Sequence, residues 1–313
     1  MTAHIAPAHR KKPVFPSLLP HRPRFRQSCY VAVIDVDGML FDSDTAGLGS
    51  WGENPVAIFR ERLDAIEANP RIRAVVLRIN SPGGSVTATD IMWRDLQAFK
   101  ARTRLPVVAC IMDVGTGGAY YLATGAQQIF AHPTTITGSI GCILNIYNLE
   151  DMMSMLKIHG TPVKSGPHVD LGSASKPLDD ESRRMLQSMA DEFHQRFKRV
   201  VCENRPVDGR IPTTFDGRVF TASHAMRIGL IDQIGYLDDA VRCATQMAGL
   251  SYAEVTFLRR DGDTATSPYS TSPNVPLHDK FVNLDVPGLQ RSRMPSFLYL
   301  WQIEPTAETI NGK

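Results

Sequence analysis

Apolar and polar positions along the chain change period several times, and each change marks an element. Tyr30 to Val36 alternates and is β-branched, which predicts a strand and puts the start of ordered structure near "CYVAVIDVDGMLFD". "NPVAIFRERLDAIEANP" follows, with Asn54 as N-cap, Pro55 at the first helical position, and Val56, Phe59, Leu63 and Ile66 on one helical face. Arg73 to Ile79 reads as a buried strand, "SVTATDIMWRDLQAF" as a helix, "PVVACIM" as a strand, "GGAYYLATGA" as a helix and "QIFA" as a short strand. Strands that alternate with helices at this spacing are joined by crossovers and lie parallel, which makes the fold class α/β. A long amphipathic helix, "DDESRRMLQSMADEFHQRFKRVVCENR", carries Met185, Met189, Phe193, Phe197 and Val200 as an apolar stripe for core or subunit contact. "TASHAMRIGLID" and "GYLDDAVRCATQMAGL" add two further helical units.

Composition bounds the function. The 313 residues are 43% hydrophobic and 21% charged with a net charge of +2, typical of a soluble globular protein and giving no reason to expect nucleic acid as a partner. The five cysteines (Cys29, Cys110, Cys142, Cys202 and Cys243) are odd in number and widely spaced, which fits a reducing compartment better than a disulfide framework. Residues 1–28 carry Arg10, Lys11, Lys12, Arg22, Arg24 and Arg26, and the first acid is Asp35. This Pro-rich basic leader has no apolar core, so neither a signal peptide nor a membrane span is expected, and the expected location is cytoplasmic. Such a leader is expected to be disordered, or to be drawn weakly to the anionic inner face of a membrane.

Two glycine turns carry the candidate chemistry. "NSPGGS" (Asn80 to Ser85) and Gly115-Thr116-Gly117-Gly118 each follow a strand and precede a helix. Their amides can converge on a developing oxyanion, and together they form a crevice at the carboxyl edge of a parallel sheet. Neither ends in the Lys-Ser/Thr of a phosphate loop, which argues against nucleotide. Asp35, Asp37 and Asp113 lack metal-ligand spacing to a His cluster, His132 and His159 read as loop or helix-end residues, and no cofactor or metal is expected.

The segments "NPRIRAVVLRINSPGGSVTATD", "DVGTGGAYYLATGAQQIFAHPTTITGSIG", "VKSGPHVDLGS" and "DGRVFTASHAMRIGLIDQIGYLDDAV" occur in family order, and over residues 29–250 the chain resembles the signal peptide peptidase A family of Ser–Lys peptidases. The resemblance implies a Clp protease/crotonase-like fold of stacked ββα units with parallel sheets and flanking helices. It also implies self-association into a ring or bowl, and cleavage of extended peptides such as signal-peptide remnants. Against the family motif Asp-Val-Ala-Ala-Ser-Gly-Gly-Tyr-Tyr, "DVGTGGAYY" puts Gly117 at the nucleophile position. Against Lys-Ser-Gly-x-x-Lys-Asp, "KSGPHVD" puts Val169 at the general-base position. Glycine offers no attacking atom and valine accepts no proton, so Ser–Lys acyl-enzyme chemistry is not expected. Peptide-binding and oxyanion amides around Gly83, Gly84 and Gly118 need no side chain and survive.

The resulting expectation is a pseudopeptidase that binds extended peptides and forms homo-oligomers, or mixed rings with an active relative. One alternative is an active serine/threonine-type endopeptidase with Thr116 as relocated nucleophile and His168 as base. Ser81, Ser85, Ser139 and Ser165 are weaker candidates, better read as turn or cap hydroxyls, and an acyl-thioester site of the crotonase kind is a further alternative. An assembly scaffold that binds no peptide is another. The expected organisation is a leader over 1–28, an α/β domain over 29–258, a Ser/Thr/Pro-rich linker over 259–290, and a docking tail over 291–313. Within the tail, Phe297, Leu298, Tyr299, Leu300 and Trp301 resemble the ending of short family members. This segment is expected to lie in the peptide groove, to clip onto a neighbouring subunit, or to pack on its own domain.

Overall fold

The structure is a computed structural model that describes residues 28–42, 54–258 and 297–301. The expected leader up to residue 27, the linker over 259–290 and most of the tail lie outside the described residues. The main sheet is built on β1 (Tyr30–Asp37), β2 (Ile72–Ser81) and β4 (Val107–Thr116), all mutually parallel. Beside them lie β5 (Gln128–Ala131), β6 (Ile136–Gly138), β7 (Val219–Thr221), β8 (Gln233–Ile234) and β9 (Glu254–Phe257). The strand order is β7-β6-β4-β2-β1-β9, with β5 on β4 and β8 on β5, and β7 runs antiparallel to β6. Short β3 (Gly83–Ser85) stands apart and pairs with β10 (Leu298–Leu300).

Period-two alternation sorts the strands into two cores. Ala32, Ile34, Leu77, Ile79, Ala109 and Ile111 belong to the larger core, with Phe59 and Leu63 of α1 (Pro55–Glu67), Met92, Leu96 and Phe99 of α2 (Val86–Thr103) and Tyr120 to Ala123 of α3 (Gly118–Ala123). Val31, Val33, Ala74, Val76, Val108 and Cys110 face the other way, onto Leu237, Ala240 and Ala244 of α7 (Leu237–Met247). The sheet is therefore covered on both faces, as a parallel sheet must be. The predicted caps are present: the Asn54 side chain accepts from Val56 N and Ala57 N, and Ser85 caps α2 by accepting from Ala88 N.

Two elements differ from expectation. The stripe on α5 (Asp180–Asn204) is buried only in its C-terminal half, at Phe197 and Val200, while Met185 and Met189 are exposed. The connection after β6 holds a short helix, α4 (Glu150–Met155), with no buried residue. α6 (Ala222–Arg227) then follows β7 as the pattern predicted.

A buried ion pair locks the centre of the sheet. Arg78 and Asp35 are register partners on β2 and β1, their charged atoms 2.7 Å apart with side chains 3% and 5% exposed. Arg62 donates to the Asp35 main-chain carbonyl at 2.7 Å, and the Arg78 guanidinium stands 5.5 Å above the Phe257 ring. Removing one partner strands the other charge in the interior. Asp35→Ala is therefore expected to destabilise the fold by about 3 kcal/mol, read as a lower denaturation midpoint in urea.

Candidate functional site

The crevice forms where β2 and β4 end. Beyond β2 the chain passes through Pro82 into β3, whose outer edge is taken by Leu40: Leu40 N donates to Gly83 O at 2.9 Å and Ser85 N donates to Leu40 O at 2.8 Å. Beyond β4 the chain turns at Gly117, with φ 51° and ψ −124°, directly into α3. For a residue with a Cβ this backbone costs roughly 1–3 kcal/mol, and strand-to-helix turns that carry a nucleophile use such strain to push a side chain into the cleft. Gly117 keeps that turn without a side chain. Its amide donates to Gly138 O at 2.9 Å, and its carbonyl accepts from Tyr121 N at 2.9 Å.

The tail lies in this crevice. β10 pairs antiparallel with β3, setting Leu298 opposite Ser85, Tyr299 opposite Gly84 and Leu300 opposite Gly83. Val86 N donates to Phe297 O at 3.2 Å, and Trp301 N donates to Pro82 O at 3.0 Å. Along its other edge Leu298 exchanges two hydrogen bonds with Ile143, both 2.9 Å. The three-residue strand is thus paired along β3 and held on its far edge by one bridge at Leu298. A Cβ on Gly117 would stand 2.3 Å from the Tyr299 carbonyl oxygen, and one on Gly83 (φ 107°) would stand 2.0 Å from the same atom. The Tyr299 carbonyl therefore fills the space in front of the two glycine turns, with the Gly118 amide nitrogen 2.7 Å from that Gly83 position.

Tyr299 is fully buried. Its ring stacks on Tyr121 at 5.6 Å and tilts against Phe197 at 4.7 Å, and its hydroxyl donates to the Phe193 carbonyl at 2.6 Å. Phe297 sets its ring edge-on to Phe193 at 5.0 Å. The Tyr121 hydroxyl donates to Asp90 at 2.7 Å, and Asp90 in turn holds Arg196 of α5 at 2.7 Å, so the pocket walls on α3, α2 and α5 are tied together. Burial, then Asp90, pushes the Tyr121 phenol far above its ordinary value and keeps it protonated. Sequence reasoning missed Tyr121, Phe193 and Phe197 as pocket walls. The available signals were the Tyr-Tyr of the glycine turn and two phenylalanines spaced i, i+4 on α5.

The other candidates are dispersed. Thr116 is fully buried and its hydroxyl donates to Pro82 O at 3.1 Å, while His168 Nε2 lies 3.7 Å from Glu181, so the two have separate partners. Val169 is 68% exposed, and the atoms nearest a Gly117 Cβ belong to Tyr299 and Leu300. The amines flanking Val169 are occupied: Lys176 and Lys164 both bind Asp170, at 2.8 and 2.9 Å, and hold its carboxyl down at about 2. Ser81 accepts from Gly83 N at 3.1 Å and Ser85 is the cap already described. Ser139 is buried with φ 52°, and Ser165 is exposed. Burial pushes the Cys142 thiol up to about 12, so it stays protonated. Among the described residues no cluster of three His, Cys, Asp or Glu side chains is placed to hold a metal ion, and no helix is long and apolar enough to cross a membrane.

Residues 99–251 match the family model described as Peptidase family S49. The chain is 34% identical over 225 residues to protease 4 of Salmonella typhi, covering 70% of this chain and 35% of that protein. It is 30% identical over 194 residues to a putative protease of Methanocaldococcus jannaschii, covering 62% of each. It thus spans about a third of the first relative's length and under two-thirds of the second's. Among solved structures it is similar to the membrane-bound stomatin-specific protease 1510-N in complex with a substrate peptide, with TM-score 0.49 and 14% identity, covering 75% of this chain and 93% of that one. With parallel strands closing on two glycine turns, and the ordered motifs on either side of them, the chain belongs to the signal peptide peptidase A family, peptidase family S49.

Proposed function

We propose that this chain is a peptide-binding member of the family that has given up Ser–Lys cleavage, and that its own tail is the resident occupant of the groove. One observation carries the reading: the Tyr299 carbonyl oxygen stands 2.3 Å from where a side chain on residue 117 would begin, closer than any attacking oxygen could allow. A nucleophile there would collide with the occupant. Main-chain pairing on both edges of β10 supplies the binding, as in other additions of a strand to an exposed edge.

The second part of the proposal is self-association. α4 buries nothing, Met155 is 85% exposed and Val163 fully so, and Leu156, Ile158 and Val169 are exposed on the same connection. Such a run of apolar surface is a candidate interface between copies of this chain, or with an active relative in a mixed ring. The basic leader would add weak attraction to the inner, anionic face of a membrane, with the protein otherwise cytoplasmic.

Three outcomes are expected. The pure protein should neither label with a fluorophosphonate probe nor degrade casein; turnover or labelling that disappears in Thr116→Ala would restore the enzyme reading. Gly117→Ser should expel the tail through the collision of its Cβ with the Tyr299 carbonyl, raising the rate of proteolysis at residues 297–301 by roughly tenfold or more, given about 1–3 kcal/mol for such overpacking; unchanged protection would sink the assignment of the occupant. A Met155→Asp, Leu156→Asp variant should shift light-scattering mass toward a single chain while leaving circular dichroism unchanged.

A further inference from the structure

We propose that the groove selects peptides with the pattern aromatic-x-tyrosine, and that the main-chain carbonyl of Phe193 is the group that distinguishes tyrosine from phenylalanine. The inference rests on the peptide-binding reading above and names the class of ligand. In an extended strand, residues two apart point the same way, so Phe297 and Tyr299 both face α5 while Leu298 and Leu300 face away from it. The first position meets one ring, Phe193, edge-on at 5.0 Å. The second enters a closed aromatic box made by Tyr121 and Phe197, with Trp93 edge-on behind Tyr121 at 5.9 Å.

The polar contact of the Tyr299 side chain is with the Phe193 carbonyl. Phe193 lies within α5, so its carbonyl accepts one helical amide and keeps a second lone pair. The Tyr299 hydroxyl donates to it at 2.6 Å. Burial holds the Tyr299 phenol well above its ordinary value, so it remains a donor. Phenylalanine would fill the box but leave that lone pair facing hydrocarbon, and the loss of one hydrogen bond weakens binding about three- to tenfold. A phosphorylated tyrosine would bring negative charge against the carbonyl oxygen and beside Asp90, whose partner Arg196 is already engaged at 2.7 Å. Aliphatic residues would lose the stacked and tilted ring contacts altogether.

The test uses the full chain carrying Tyr299→Asp, which vacates the box by placing a carboxylate there. Fluorescently labelled heptapeptides Ser-Phe-Leu-Tyr-Leu-Trp-Gln, its Tyr-to-Phe analogue and its phosphotyrosine form are titrated in trans by anisotropy. The expected order is tyrosine tighter than phenylalanine by about three- to tenfold, with the phosphotyrosine form not bound. Equal affinity for the tyrosine and phenylalanine peptides, or binding of the phosphorylated one, overturns the selectivity and leaves peptide binding standing. Failure of all three to bind overturns the peptide-binding reading itself, and the selectivity with it. A second measurement guards against misfolding of that variant: in full-length Tyr299→Phe, hydrogen exchange at the Ile143 and Leu298 amides should speed up about three- to tenfold, and no change there also overturns the inference.

Discussion

Main-chain hydrogen bonding with no room for a side chain is the constraint from which the site follows. Leu40 secures one edge of β3, β10 takes the other, and Ile143 closes the far edge of β10. Two bare Cα atoms, at Gly83 and Gly117, let the Tyr299 carbonyl approach this closely. The bare position at residue 117 lets the occupant settle flush against the turn, so the missing side chain and the tight fit are one structural feature.

That fit needs a rigid frame. The buried Asp35–Arg78 pair joins β1 to β2 near the ends from which Pro82 and β3 depart. Asp90 couples Tyr121 behind the glycine turn to Arg196 on the long helix, so the aromatic box is built on three elements that cannot drift independently. Desolvation of the Tyr121 and Tyr299 phenols keeps both as hydrogen-bond donors. The Tyr299 ring thus meets aromatic walls while its hydroxyl bonds the main-chain oxygen of Phe193.

Much of this was legible in the sequence, for identifiable reasons. β1, β2, β4, α1, α2 and α7 announced themselves through alternation, caps and runs of branched residues, because local pattern and burial agree there. The strand-to-helix placement of the glycine turns was legible too. What escaped was what depends on distant pairing. β3 is three residues of glycine and serine that become a strand only because β10 and Leu40 lie beside them. Phe193 and Phe197 look like ordinary helix-stripe residues, and no local signal reveals that their neighbour is a residue about a hundred positions later. Met185 and Met189 follow the same helical period yet are exposed, because periodicity shows which face is apolar without showing what covers it.

The occupant is joined by a covalent path to the groove it fills. Thirty-eight residues, 259–296, separate Leu258 from Phe297, and no such path can exceed ~140 Å at about 3.6 Å per residue. The tail's return after each opening is therefore a first-order event, whereas capture of a foreign chain is second-order and slows on dilution. A competitor of equal intrinsic strength loses at low abundance.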